Sequence, residues 1–232
     1  MIGIVILNYC SMADVKKCVE SVQQVKNINY SIYIVDNDSP DKSGRKLYDF
    51  YKGVDNLKVI LHNSNKGFAS GNNIGIKHAL EDDCDFIVIS NPDIIFNNSS
   101  IQNMINALSE DDLVGLVSPK ILNYDKTIYR FGQTRKRAGI KELYFLKFPI
   151  RKLNLGNVVG EMFFSNKELQ KDQRIYSFSG CCFCITKSTA RELYPLDEGT
   201  FMYYEEQIIG WHLQDKGIHA VSYTHLTLPT IA

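Results

Sequence analysis

The stretch Phe86-Ile87-Val88-Ile89-Ser90-Asn91-Pro92-Asp93 joins a short apolar run to a polar turn. A run this short, β-branched and abruptly ended has the pattern of a strand buried on both faces of a parallel sheet. The same construction recurs upstream. Ile2–Leu7 is followed by Asn8-Tyr9-Cys10-Ser11, Ser31–Val35 by Asp36-Asn37-Asp38-Ser39, and Leu57–Leu61 by His62-Asn63-Ser64-Asn65-Lys66-Gly67. A fifth run covers Leu113–Val117. Between the runs lie segments of helical period. Ala13–Val25 places Val15, Val19, Val22 and Val25 three or four residues apart, with Ser11 as candidate N-cap, and Ser43–Tyr51, Ala69–Leu80 and Ser99–Leu108 read the same way. Alternating strands and helices predict an α/β fold, a mostly parallel Rossmann-like central sheet flanked by helices. Ligands of such sheets bind at the carboxyl ends of the strands. Turn chemistry alone explains any one Asn/Asp/Ser/Gly cluster; three such clusters at one sheet edge predict a site.

The remaining composition narrows the class of site. The chain has 232 residues, 44% hydrophobic and 22% charged, with 26 Lys and Arg against 26 Asp and Glu. No global positive charge argues for a nucleic-acid partner. Six cysteines are too few for a disulfide scaffold at this length. The apolar runs are far short of a membrane span, and Met1–Leu7 lacks the basic start and long apolar stretch of a leader. These features predict a cytoplasmic protein with reduced thiols. The first strand is followed by no Gly-rich turn, and Gly67, Gly71 and Gly75 precede no Lys-Ser or Lys-Thr pair, which argues against both dinucleotide and P-loop sites.

A nucleotide-sugar site fits. Such a donor carries a base, a ribose, a diphosphate and a sugar, and the departing diphosphate needs a divalent cation with oxygen ligands. Asp93, at one strand end, is placed to hold that cation; Asp36, at another, is placed to accept hydrogen bonds from base or ribose.

Ordered motifs carry a resemblance. Val5-Ile6-Leu7-Asn8-Tyr9, Ile34-Val35-Asp36-Asn37-Asp38-Ser39, Asn65 through Gly75, Asn91-Pro92-Asp93, Ser179-Gly180-Cys181-Cys182-Phe183 and Asp197-Glu198 through Glu205-Glu206 follow one another as in glycosyltransferase family 2. The chain resembles the bacterial rhamnosyltransferase-like members over roughly Ile2 to Gly217. The resemblance implies a GT-A nucleotide-diphospho-sugar transferase fold. It also implies an inverting transfer from a UDP- or dTDP-linked sugar to a hydroxyl of a glycan or lipid-linked acceptor, in bacterial cell-surface polysaccharide synthesis. Asp36 and Asp38 would hold base and ribose. Asn8, Asn65, Gly67, Asn72, Gly75 and Asn91 would line the donor site, and Asp93 would bind Mg²⁺ or Mn²⁺. Gly180 and Cys181 would lie on the acceptor side, and an acid of Glu205-Glu206 would be the general base, with Glu206 preferred. The family's usual pair is Glu-Asp, so Glu206 stands where a shorter acid is customary. That departure keeps an alternative open, a non-catalytic or truncated GT-A module that binds nucleotide or glycan.

The pattern degrades over residues 120–174, which hold thirteen Lys and Arg against five acids, a net +8 that leaves −8 for the rest. The expected organisation is one domain over 1–221: a nucleotide-binding half of about 1–119, a basic insertion over about 120–174, and an acceptor and catalytic half over about 175–221. Within the insertion, Arg135, Lys136, Arg137, Lys141, Lys147, Arg151 and Lys152 alternate with Leu143, Tyr144, Phe145, Leu146 and Phe148. Basic residues beside aromatics suit contact of residues 135–152 with the inner face of the cell membrane. Packing of the aromatics under the insertion is the competing reading. Beyond it, Ile175–Ile185 reads as a strand, and Ser188–Leu193 and Glu205–Lys216 as helices. Cys181-Cys182-Phe183-Cys184 lacks metal-ligand spacing and reads as small apolar residues in a buried strand. Residues 222–232 resemble translated adapter DNA and are expected to be a non-native tail.

Overall fold

The computed structural model describes residues 1–122, 164, 168 and 171–229. The chain opens β1 (Ile2–Asn8), α1 (Met12–Gln23), β2 (Tyr30–Asp36), α2 (Ser43–Tyr51), β3 (Leu57–Leu61), α3 (Phe68–Glu81), β4 (Phe86–Ser90), α4 (Ser100–Ser109) and β5 (Val114–Leu122). It continues with β6 (Gln173–Ile175), β7 (Cys182–Thr186), α5 (Lys187–Leu193), α6 (Glu205–Asp215) and β8 (His219–Pro229). Among the described residues the strands form one sheet in the order β3-β2-β1-β4-β7-β5-β8-β6.

The sheet has two regimes. β3, β2, β1 and β4 run parallel, as the alternating pattern predicts. Past β4 it is mixed: β7 is antiparallel to both β4 and β5, β8 parallel to β5, and β6 antiparallel to β8. The change follows from connectivity. A parallel neighbour needs a crossover, whereas a strand arriving from elsewhere can pair in either direction. The single strand expected over Ile175–Ile185 is two strands, β6 and β7, separated by a turn through Ser179-Gly180. Residues 219–229, including most of the expected non-native tail, form β8 against β5. The basic stretch 135–152 lies outside the described residues.

Burial explains the strand composition. Along β1, Ile2, Ile4 and Ile6 face one layer and Val5 the other. The first layer packs Val15, Cys18, Val19 and Val22 of α1, Leu47 and Tyr51 of α2, and Ile101, Met104 and Leu108 of α4. The second packs Ala69, Ile76 and Ala79 of α3, Ala190 and Leu193 of α5, and Ile209 and Leu213 of α6. Strands covered on both faces have no solvent side, hence their unbroken apolar runs. Each fully buried Ile or Val contributes roughly 1.5–3 kcal/mol relative to exposure.

Local signals were read unevenly. Ser11 occupies the N-cap of α1, but its hydroxyl turns back to Tyr9 O at 3.0 Å and caps no amide. Thr186 does cap α5, accepting from Thr189 N at 3.2 Å. Among the described residues, no helix is long and apolar enough to cross a membrane.

Candidate active site

Because β1 to β4 are parallel, the polar residues that follow them gather along one edge. They form two groups of different character.

The first group is knitted together internally. Asn8 is fully buried at the end of β1. Its Nδ2 donates to Asp36 Oδ1 at 2.6 Å, Ser43 Oγ at 3.0 Å and Ser39 Oγ at 3.3 Å, while its Oδ1 accepts from Ser11 N at 3.1 Å. Ser39 closes the turn on the same carboxylate, with Oγ donating to Asp36 Oδ1 at 2.6 Å and N to Oδ2 at 3.1 Å. A Cβ on Gly44 would strike the Asp36 carboxyl, so α2 starts hard against it. Asp36 is buried and braces the turn, while Asp38 stands exposed at its tip with φ 60°.

The next strand end is tied in the same way. Asn37 Nδ2 donates to Asn65 Oδ1 at 2.8 Å and Gly67 O at 3.1 Å, and Gly67 N donates to Asn65 Oδ1 at 3.0 Å. Gly67 has φ +103°, and a Cβ there would meet the backbone of Phe201. Asn72, fully buried in the first turns of α3, donates to Phe68 O at 3.0 Å, and its Oδ1 is buried without a partner. At Gly71 and Gly75, Leu7 and Val5 fill the space a Cβ would need, so both glycines let α3 lie close on β1.

The second group is poised rather than satisfied. Asn91 N donates to Cys181 O at 2.7 Å, joining the end of β4 to the start of β7. Two residues on, Asp93 Oδ1 is buried with no hydrogen-bond partner. Burial holds its carboxyl above the ordinary carboxylate range, and the charge of Asp14 adds to the rise. Glu206, in the first turn of α6, reaches the turn before β7, its Oε1 accepting from Gly180 N at 3.0 Å. A Cβ on Gly180 would occupy the position of that carboxylate. Burial raises Glu206 as well, with a further rise from Glu205. The Cys181 thiol is pushed up to about 11, chiefly by burial and in part by the charges of Asp93 and Glu206.

Glu205 does not join them. It is buried on the other side of α6, over a small hollow lined by Leu193, Leu196, Asp197, Ile208, Ile209 and His212. The structure thus separates the two adjacent glutamates, with Glu206 held by Gly180 N and its charge felt at Cys181.

A third element joins the groups. Asn73, buried on α3, accepts from Leu196 N at 2.7 Å and donates to Leu196 O at 3.0 Å and Glu198 Oε1 at 2.8 Å. Phe68 N donates to Phe201 O at 2.9 Å. The loop that leads into α6 is therefore anchored to the helix that carries the Gly67 turn. Sequence reading missed Asn37, Ser39, Ser43 and Asn73 as organising residues. The first three lay in or beside a quoted turn; for Asn73 the only signal was an amide on an otherwise buried helix face.

With this geometry in view, the comparisons are consistent. Residues 2–190 match the model of Glycosyl transferase family 2. The chain belongs to that family. It is 24% identical over 207 residues to the low-salt glycan biosynthesis hexosyltransferase Agl10 of Haloferax volcanii, which covers 88% of this chain and 59% of that protein. It is 20% identical over 226 residues to the N-acetylglucosaminyl-diphospho-decaprenol L-rhamnosyltransferase of Mycobacterium tuberculosis, covering 94% of this chain and 71% of the relative. Among solved structures, the mannosyltransferase of Pyrobaculum calidifontis in complex with GDP-Man and Mn²⁺ superposes with a TM-score of 0.67 at 12% identity, over 99% of this chain and 56% of that one. The fold is GT-A. The chain thus spans little more than half the length of the haloarchaeal relative and of the mannosyltransferase.

Proposed function

We propose that the chain transfers a sugar, with inversion, from a UDP- or dTDP-linked donor to a hydroxyl of a glycan or lipid-linked acceptor in bacterial cell-surface polysaccharide synthesis. The observation that carries this reading is that the end of β4, which leads to Asp93, bonds to Cys181, while the neighbouring Gly180 N–H holds Glu206.

The residues present fit a divalent cation. Asp93 offers a buried carboxylate oxygen with no partner, and hard cations bound alongside a diphosphate commonly use one or two protein carboxylates and take other ligands from phosphate and water. Asp93 would hold the ion, whose charge would stabilise the departing diphosphate. Asn8, Asp36, Ser39 and Asn37 hold the donor turns in place before substrate arrives, so little ordering remains for binding to bring about. The acceptor oxygen attacks the anomeric carbon as the bond to the diphosphate oxygen breaks. The hydroxyl proton passes to the Glu206 carboxylate, and the bonding pair leaves with the nucleoside diphosphate. Gly180 N–H holds the glutamate in position, and burial raises its proton affinity, the direction a general base requires. Relatives named for hexosyl and rhamnosyl transfer, and a neighbour solved with GDP-Man and Mn²⁺, support the class.

The test is a panel of UDP-, dTDP- and GDP-sugars with Mn²⁺, Mg²⁺ or chelator, read as release of nucleoside diphosphate. Metal-dependent release from one donor, lost in Glu206→Gln, is the expected result. Binding of nucleotide without release from any donor would favour the non-catalytic module.

A further inference from the structure

Directly before the glutamate assigned as base stand four large side chains, Phe201, Met202, Tyr203 and Tyr204, each between 54% and 72% exposed. Tyr203 and Tyr204 are also consecutive left-handed residues, with φ 75° and 74°. Non-glycine residues rarely take that conformation, and a bulky pair in succession stores strain of order 1 kcal/mol or more per residue. Both ends of the segment are fixed. Phe201 O accepts from Phe68 N, and Tyr204 is the N-cap residue of α6, two positions before Glu206. The fold thus holds two tyrosine rings toward solvent, at an energetic cost, beside the group that must meet the acceptor.

The surrounding charge identifies what the rings suit. Between Arg191 and Lys216 there is no Lys or Arg; Glu192 is paired with Lys216 and Glu205 is buried, which leaves Asp197, Glu198 and Glu206 as the acids nearest the rings in sequence, with Lys66 beside the Gly67 turn. The exposed carboxylates Asp197 and Glu198 disfavour an anionic lipid surface here. A neutral sugar ring is not disfavoured: its C–H faces pack on aromatic rings, and its hydroxyls donate to carboxylates. Resting on the transferase reading above, we propose that Tyr203 and Tyr204 form the platform on which the neutral terminal sugar of the acceptor stacks, positioning its hydroxyl for Glu206.

Asparagine tolerates the left-handed region, so Tyr203→Asn and Tyr204→Asn remove the rings while allowing the backbone to stay. The probes are the methyl glycosides of glucose, galactose, N-acetylglucosamine and rhamnose, and the readout is saturation-transfer NMR from protein to sugar protons. The expected result is transfer to the ring protons of at least one glycoside, weakened roughly tenfold in the double Asn variant and restored in the double Phe variant. UDP affinity with Mn²⁺ should stay that of the unaltered protein. Absence of transfer to every glycoside, or equal transfer in the Asn variant, overturns the proposal. So does binding of the unaltered protein to anionic vesicles that the Asn variant loses, because the patch would then be a membrane contact. Failure of the transferase reading shows separately, as no release of nucleoside diphosphate from any donor while the glycoside signal persists.

Discussion

Two carboxylates in this molecule meet a glycine in the same way, and the contrast separates two kinds of site architecture. Asp36 lies where a Cβ on Gly44 would fall, and Glu206 lies where a Cβ on Gly180 would fall. Asp36 cannot give way: Asn8 and Ser39 hold both of its oxygens, and it is buried. Glu206 sits at the end of a flexible side chain, its Oε1 accepting from Gly180 N. The proposed donor edge is a lattice of hydrogen-bonded groups, Asn72 Oδ1 apart, and its polar residues act first on the fold. The proposed catalytic edge keeps Asp93 Oδ1 unpartnered and both acids raised by burial. Such groups are energetically unfavourable in the resting protein and favourable once a cation or a proton arrives.

The largest effect that sharpens this contrast is on turnover. Glu206→Gln keeps shape and removes the proton acceptor, so kcat should fall by roughly 10²–10⁴ with donor affinity held. Glu205→Gln should leave kcat near that of the unaltered protein. Steady-state release of nucleoside diphosphate checks both, and a large loss from Glu205→Gln alone would reverse the assignment. Next, Asp93→Ala should abolish the gain in UDP affinity that Mn²⁺ confers, measured by calorimetry, while the fold remains intact by circular dichroism. On the donor edge the expected loss is structural. Gly44→Ala should cost about 1–3 kcal/mol of stability by overpacking against a carboxyl that cannot move. Gly180→Ala should cost less in denaturant unfolding and more in kcat, since the glutamate swings aside. If both alanines act alike, the contrast between the two edges is wrong.

The smallest effect concerns pH. Burial raises the Glu206 carboxyl above its ordinary value of 4.5 in the folded state. The folded protein then binds that proton more tightly than the unfolded chain does. The associated stability is present below the ordinary value and is lost as pH rises through the raised one. Catalysis moves the other way, because only the deprotonated form accepts a proton. Across one window above 4.5 the thermal midpoint should decline while kcat climbs. Both slopes should flatten in Glu206→Gln, apart from trends due to other groups.

The donor half was legible because its signals are local. A run such as Ile87-Val88-Ile89 records burial on both faces, and the Asp36 and Asn91-Pro92-Asp93 turns follow their strands directly. What escaped was non-local. The break between β6 and β7 depends on Ser179-Gly180 turning beneath Glu206, 26 residues away from Gly180. The pairing of β8 with β5 is absent from either strand's own pattern. The left-handed tyrosines could not be foreseen either, since local preference disfavours that conformation and only the anchored loop imposes it. For Asp36 the sequence indicated an important carboxylate, and the structure shows much of that importance to be architectural.

Helix α3 has one further consequence. Its first turn carries the Gly67 bend that Asn37 grips, and Asn73 on the same helix grips Leu196 and Glu198, 123 and 125 residues along the chain. On the proposed assignment, one helix thus braces both the donor turn and the loop that leads to Glu206. A substitution at Asn73 has no single-substrate phenotype; it should disturb donor and acceptor constants together. Attempts to retarget donor choice without disturbing the acceptor should leave this helix alone and begin at Asp38, which stands at the exposed tip of its turn.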